Sequence, residues 1–409
     1  MEFRNYQLDI INKASHTIIE HKFVYLAMEV RTGKTLTALG IAERLKCNSV
    51  LFLTKKKAIR SIEKDYEMLN PLYNLLVINY ESIHKIPEVK WDMVIVDEAH
   101  SLGAFPKANK RAKQVRDIIK VNRCLVCLMS GTPTPESYSQ MYHQVFGIPT
   151  NPFKEHKTFY KFANQYVDKR QKKINSMYIN DYTRGYETII NKMNPYTYRF
   201  SQSDAGFKVD TKEHILNVEM DDVTYSLCRK LKRNRVVEGE EEVILADTPV
   251  KLMMKLHQLY SGTIKFESGK GMVIDTSKAQ FIYKKFAGKK IAIFYKFKQE
   301  LKAIKEVYGD DICTELSLFK ETNKSIALQI VSGREGISLK EAEVLVYYNI
   351  DFSATSYWQS RDRMTTIDRL ESDVYWVFAK DGIEKEIYKA VCKKKDYTVR
   401  HFKKDLLTL

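Results

Sequence analysis

Residues Met93–Val96 read MVIV, and this apolar run is closed at once by Asp97-Glu98-Ala99-His100. A run of that length with no polar alternation is a strand buried on both faces. Two carboxylates at the tip of such a strand are costly unless something cationic sits beside them, so their placement argues for a metal or phosphate site. The same pattern recurs along the first third of the chain. Ser49–Thr54, Leu75–Asn79 and Cys124–Ser130 read as strands, with Thr35–Lys46, Lys56–Leu69 and Lys107–Lys120 as intervening helices. This alternation predicts an α/β fold with a parallel sheet covered by helices on both faces.

A second α/β alternation follows. His214–Glu219, Lys290–Tyr295, Asp311–Leu316, Ile326–Val331, Val344–Asn349 and Val374–Ala379 read as strands. Ser137–Phe200 reads as helical, rich in Lys and Tyr, and Asp221–Gly262 is helical again. Two domains are therefore expected over the 409 residues. One spans 1–205 with a helical extension from about 137, the other 206–409 with a helical insertion over about 221–275. The basic stretch Arg229–Arg235 and the acidic stretch Glu238–Glu242 read as solvated faces.

Charge narrows the partners. The chain carries 67 Lys and Arg against 51 Asp and Glu, a net +16. Excess cation repels itself unless it serves a polyanion, so a nucleic-acid partner is expected. No apolar run reaches the roughly 18 residues that span a bilayer, and the start MEFRNYQLDI lacks a signal peptide's apolar stretch, so no membrane role is expected. The six cysteines are scattered; Cys124 and Cys127 sit in the apolar run CLVCLM and read as core residues. A reducing, cytoplasmic setting follows.

Upstream of the acidic pair stands Thr32-Gly33-Lys34-Thr35, after the strand-like run FVYLAM and before a helical pattern. A phosphate-binding loop works because backbone N–H groups and a helix N-terminus point at phosphate, a Lys reaches the terminal phosphates and a hydroxyl holds Mg²⁺. Lys34 and Thr35 fit those roles, although Met28 occupies the first glycine position of the full GxxxxGK[ST] pattern. Asp97 then holds Mg²⁺ and Glu98 polarises the attacking water. The expected cofactors are ATP and Mg²⁺.

With both elements in order, the chain resembles the superfamily 2 helicases and translocases with a DEAH-type second motif, and more narrowly the Snf-type DNA translocases and their compact phage relatives. The resemblance runs along nearly the whole chain. Arg4-Asn5-Tyr6-Gln7 is similar to the upstream glutamine motif, which implies that Arg4 and Gln7 contact the nucleotide, Gln7 at the adenine edge. Ala27–Thr35 resembles the first motif, with Arg31 where Snf-type loops have glycine. Leu51–Lys55 and Asn79-Tyr80-Glu81 resemble motifs Ia and Ib, implying DNA-backbone contacts at Thr54, Lys55 and Tyr80. Ser130-Gly131-Thr132-Pro133 resembles motif III, which with His100 implies coupling of the nucleotide site to the DNA track through Ser130 and Thr132.

In the second half, Lys290–Phe297 resembles motif IV, and Ser332–Leu339 the fifth motif. That motif implies DNA contacts at Ser332, Gly333 and Arg334 and a nucleotide contact at Gly336. Gln359-Ser360-Arg361-Asp362-Arg363 resembles the sixth motif, which implies a catalytic Gln359 and an arginine finger at Arg363. Thr366 stands where a second finger would be, leaving Arg361 and Arg369 as candidates. Transition-state charge on the γ-phosphoryl group wants such a planar, permanently charged donor. Asp381-Gly382-Ile383-Glu384 and Lys394-Lys395 follow the closing helix of such proteins.

The resemblance implies two RecA-like domains in tandem, hydrolysing ATP in the cleft between them to move on duplex, forked or junction DNA. Fork remodelling or branch migration is the leading expectation. The alternatives are a helicase tracking one strand of DNA or RNA, or the motor subunit of a larger DNA-processing complex. A basic binding protein with a degenerate ATP site stands against the retained Lys34, Asp97, Glu98 and Arg363. A monomer is expected, in the host cytoplasm if the chain is viral.

Overall fold

The apolar runs of the first half pair as expected. In the computed structural model, β1 (Phe23–Met28), β2 (Ser49–Thr54), β3 (Asn74–Asn79), β4 (Met93–Val96) and β5 (Leu125–Met129) lie in one sheet. A separate hairpin, β6 (Arg170–Ile174) and β7 (Met177–Asp181), comes next in the chain. The sheet is completed by β8 (Thr197–Phe200), giving the order β3-β2-β4-β5-β1-β8 with every neighbouring pair parallel. The described residues are 2–174, 177–206, 210–333, 339–361, 371–393, 397–398, 401–402 and 405. They fall into two units, Met1–Phe207 and Lys208–Leu409.

Strand periodicity explains why MVIV tolerates no polar residue. Val94 and Val96 join one apolar layer with Tyr25, Leu51, Leu53, Val126 and Leu128. Met93 and Ile95 join the opposite layer with Val24, Leu26, Val50, Phe52 and Cys127. Helices α1 (Asn5–His21), α2 (Lys34–Arg44) and α3 (Ile59–Leu69) cover the second layer through Ile11, Ala14, Leu39, Ile41 and Ile62. Helix α4 (Lys110–Asn122) covers the first through Ala112, Val115 and Ile119. Each large side chain so buried stabilises the fold by roughly 1.5–3 kcal/mol. Cys124 and Cys127 are buried here, and burial pushes the Cys124 thiol up to about 12, consistent with core packing.

The second unit repeats the plan. After β9 (Asp210–Val218) come two hairpins, β10 (Val236–Glu238) with β11 (Val243–Leu245) and β12 (Thr263–Lys265) with β13 (Gly271–Val273). The central strands are β14 (Ile291–Tyr295), β15 (Ile312–Cys313), β16 (Ser325–Gln329), β17 (Val344–Tyr347) and β18 (Glu371–Ala379). The order is β15-β16-β14-β17-β18-β9, again parallel throughout. Inside this unit Lys278 Nζ pairs with Glu384 Oε1 at 2.7 Å, both side chains fully buried. The chain thus has the expected fold, two RecA-like parallel-sheet cores.

Two helical expectations are corrected. Within 137–200 only Met141–Val145, Phe159–Tyr166 and Thr188–Met193 are α-helical; β6 and β7 pair with each other and β8 joins the central sheet. Between 221 and 275 the helices Asp222–Asn234 and Pro249–Leu259 alternate with the two hairpins. Lys-rich runs carry little helical or strand signature of their own, so cross-strand pairing decided these segments. Among the described residues, no helix is long and apolar enough to cross a membrane.

Candidate nucleotide-hydrolysis site

The carboxyl ends of parallel strands are where an α/β sheet presents loops to a ligand. In the first unit those ends gather Lys34 beyond β1, Thr54 on β2, Asp97 beyond β4 and Ser130 beyond β5. The loop after β1 turns through left-handed backbone at Arg31 (φ 64°) and Gly33 (φ 80°). Thr32 closes it, its Oγ1 donating to Glu29 O at 2.8 Å. Gly33 is the residue immediately before α2, so Lys34 and Thr35 lie in the helix's first turn, both half-buried. Free N–H groups at that turn form the anion-binding end of a helix.

The first turn of α1 braces this loop. Tyr6 donates its hydroxyl to Thr32 O at 3.0 Å, and Gln7 Nε2 donates to Gly33 O at 3.3 Å. Gln7 Oε1 accepts from Arg4 N at 2.9 Å, and Arg4 Nη1 donates to the Tyr6 hydroxyl at 3.1 Å. Gln7 is buried, and a Cβ added to Gly33 would fall 2.4 Å from its Nε2. Its amide is therefore committed at both ends to protein backbone, with one N–H left over for a base edge. Lys34 reaches across to the loop after β5, where a Cβ on Gly131 would lie 3.3 Å from its Nζ.

Asp97 and Glu98 form a buried carboxylate pair. Asp97 Oδ2 accepts from Thr54 Oγ1 at 2.8 Å, and Oδ1 from Glu98 N at 3.0 Å. Burial, then the charge of Glu98, hold the Asp97 carboxyl up at about 6, against the pull of Thr54 and Lys34. Burial also opposes the charge of Glu98, but the close contact and charge of His100, with Lys34 and Lys55, outweigh it and hold that carboxyl low. Glu98 sits in left-handed backbone (φ 49°, ψ 46°), a conformation that a non-glycine residue adopts at a cost.

Two buried atoms here test whether a metal and nucleotide fit. Glu98 Oε2 stands 3.2 Å from His100 Nδ1 but accepts no hydrogen bond, and the hydroxyl of Thr132 is buried without a partner. An unsatisfied carboxylate oxygen beside a carboxyl held at about 6 is a site short of positive charge. Hard oxygen donors with a helix N-terminus beside them suit Mg²⁺ carried on a nucleotide, with Asp97 and Thr35 as the protein ligands. Among the described residues, no group of three or more His, Cys, Asp or Glu forms a self-sufficient metal cage.

Beyond the acidic pair the side chains run in a line. His100 Nδ1 and Ser130 Oγ are 2.9 Å apart, and Ser130 Oγ accepts from Thr132 N at 3.1 Å. The structure thus brings together Glu98, His100, Ser130 and Thr132. Two residues unmarked in the sequence hold this segment: Tyr25 donates to Gln144 Oε1 at 2.7 Å, and Gln144 Nε2 donates to Pro133 O at 2.8 Å. Their only signal was a polar group in an otherwise apolar or aromatic run.

Two residues expected on the DNA track are placed elsewhere. Thr54 is fully buried and bonded to Asp97, and buried Tyr80 donates its hydroxyl to Asp97 O. Both are strand-end residues turned into the acidic site and offer no surface to a DNA backbone. Lys55 remains half-exposed and close enough to act on Glu98 electrostatically. In the second unit, Ser332 and Gly333 lie in the short helix Ile330–Gly333 after β16, and Gln359 and Arg361 in the helix Ala354–Arg361 after β17. Arg334, Gly336, Arg363 and Arg369 lie outside the described residues.

A RecA-like pair of parallel sheets, with a phosphate loop and buried acidic pair at the carboxyl edge of the first, defines a nucleic-acid-dependent ATPase. The chain belongs to the SNF2-related domain family, whose model matches residues 25–262, more than half of its length. No curated protein matches it. Similar solved structures include the Sulfolobus solfataricus SWI2/SNF2 ATPase core in complex with dsDNA, 14% identical over 96% of this chain and 91% of that one, with a TM-score of 0.43. The Sulfolobus solfataricus SWI2/SNF2 ATPase core domain is 15% identical over 96% of this chain and 89% of that one, also at 0.43.

Proposed function

We propose that the chain is an ATP-driven motor that moves on duplex or branched DNA and remodels forks or migrates junctions. The observation that carries this reading is the line from the acidic pair to the loop after β5, Glu98–His100–Ser130–Thr132. A hydrolysis site with no mechanical output has no use for a buried polar relay leading away from its catalytic carboxylate. The net charge of +16 favours a polyanionic track gripped by its phosphates.

In this reading Lys34 binds the terminal phosphates of ATP, and the first turn of α2 receives them. Thr35 and Asp97 hold Mg²⁺, which when bound neutralises phosphate charge. Glu98, kept ionised by His100, orients and polarises the attacking water. Tyr6 and Gln7 keep the phosphate loop in shape, and Arg4 with the remaining N–H of Gln7 faces the base. Arg363, with Arg361 or Arg369, supplies the charge that answers the γ-phosphoryl group, and Gln359 and Gly336 line the nucleotide. Lys55, Ser332, Gly333 and Arg334 are the backbone-gripping candidates that remain once Thr54 and Tyr80 are assigned to the acidic site.

The test is steady-state ATP hydrolysis with a four-way DNA junction, a linear duplex and a single strand of equal nucleotide content. Strongest stimulation by the junction or the duplex is expected. Strongest stimulation by the single strand would replace this reading with a strand-tracking helicase, and no stimulation by any of them would overturn it.

A further inference from the structure

The β6–β7 ribbon takes no part in the nucleotide site, and it is built unlike the rest of the first unit. It pairs with no other strand among the described residues, in register from Arg170 opposite Asp181 to Ile174 opposite Met177. Neighbouring residues of a strand point to opposite faces. Tyr178 is 67% exposed and Ile179 48%, so neither face of β7 is covered. A two-stranded ribbon bare on both sides is marginal in water, and large apolar side chains placed there call for a partner.

Its root, by contrast, is firmly held. Val167 and Gly185 form a bridge, Asp168 N donates to Arg184 O at 2.9 Å, and Tyr186 N donates to Tyr166 O at 2.8 Å. Tyr166, Val167 and Tyr182 are buried in the first unit's aromatic core, with Tyr182 edge-on to Phe159 at 5.4 Å. Ser139 Oγ donates to Tyr182 O at 2.7 Å. From Ser139 the chain runs directly into the helix whose Gln144 holds Pro133 O. The ribbon is thus an outward arm on a rigid base, and that base touches the segment that ends the relay from Glu98.

Charge identifies the partner. From Asp168 to Arg184 the chain has five cations (Lys169, Arg170, Lys172, Lys173, Arg184) against two carboxylates (Asp168, Asp181). Cations with an exposed aromatic and an exposed aliphatic residue are the means by which proteins hold unpaired nucleic acid, where base faces are open for stacking. Intact duplex offers phosphates to the cations but nothing to Tyr178 and Ile179. An opened base pair offers both.

We propose that the β6–β7 ribbon is a strand-separating wedge that meets DNA at a fork, with Tyr178 and Ile179 packing on the bases of the opened pair. This rests on the reading of the chain as a DNA motor, and it names the part that turns movement into separation. The experiment compares the full chain with a Tyr178→Ala/Ile179→Ala variant on two DNAs, a blunt linear duplex and a forked duplex with single-stranded tails. Loss of the two packing side chains should slow fork opening about tenfold or more. Duplex-stimulated ATP hydrolysis should stay within about twofold of the parent, because the ribbon is remote from phosphate-tracking grip. Tyr178→Phe, which keeps the ring, should open forks like the parent.

Fork opening at the parental rate by the double variant would overturn the wedge. So would a parent that hydrolyses ATP on duplex yet leaves forks paired, or a double variant that loses both activities together. A parent whose hydrolysis responds to no DNA at all would instead mark failure of the motor reading beneath it.

Discussion

Thr54 Oγ1 donates to Asp97 Oδ2 at 2.8 Å, across the carboxyl ends of β2 and β4. The bond assigns to the acidic site a threonine that its motif had placed on the DNA. It also sets how readily Asp97 ionises, because a donor to the charged form favours that form.

The first prediction follows from this bond. Asp97, held at about 6, must be ionised to bind Mg²⁺, so kcat/KM for ATP should fall as the pH drops through 6. Thr54→Val removes the donor at nearly constant volume and should move that acid limb up by about one pH unit. Activity at pH 8 should be largely kept, and DNA affinity unchanged. An unshifted limb with weakened DNA binding would return Thr54 to the DNA track.

Lys34 is the one cation at the start of α2, and its charge acts on both carboxylates. Lys34→Ala should lower ATP turnover by on the order of 10³, since it removes the charge that answers the terminal phosphates. DNA affinity measured without nucleotide should change by less than about twofold, the lost contact being to ATP and not to DNA. Turnover at the parental rate would show that the nucleotide binds elsewhere.

His100 tests the relay. His100→Ala should spare most basal hydrolysis and remove most of the DNA stimulation, because it cuts the path from Glu98 to Ser130. Ser130→Ala should do the same. The double variant should be no worse than either alone, since residues of one network do not add. Strict additivity in stimulated rates would mean that the two act separately.

Much of this was legible in the sequence, and for identifiable reasons. Strands such as MVIV and SVLFLT are apolar at every position, so burial on both faces was written into composition. Lys34 and the acidic pair were legible because buried charge is rare and its placement is informative. The burial of Thr54 and Tyr80 was not legible: a threonine or tyrosine ending a strand looks alike whether its hydroxyl turns inward or outward. The β6–β7 ribbon was hidden for a different reason. Its pairing is set by the chain on either side, from Val167 to Gly185, and its own residues repeat no clear period. The brace from Tyr6 and Gln7 to the phosphate loop joins residues 26 apart in the chain, which no local pattern reports.

That brace yields a further prediction. Gly33 has φ 80°, and a Cβ there would meet Gln7 Nε2 at 2.4 Å. Gly33→Ala should therefore destabilise the loop by about 1–3 kcal/mol through backbone strain, and more through the clash. Its signature is a raised KM for ATP. Adding Gln7→Ala removes the clash but not the strain, so the double variant should recover part of the loss. No recovery would mean that strain alone governs Gly33.

Asp97 also links function to stability. Its folded value of about 6 lies above the roughly 3.9 of an unfolded aspartate, so between those values the folded state binds the extra proton. Stability from this group is therefore full below about pH 4 and is lost as the pH rises through 6. Asp97→Asn keeps an acceptor for Thr54 and never ionises, so it escapes that loss. Without nucleotide or Mg²⁺, the variant should resist urea better than the parent at pH 8, by on the order of 2 kcal/mol, and the gap should close toward pH 4. It should also fail to hydrolyse ATP, which would show one carboxylate trading stability of the empty site for the capacity to hold a cation. A parent more stable than the variant at pH 8 would mean that Lys34 and Thr54 already satisfy the charge.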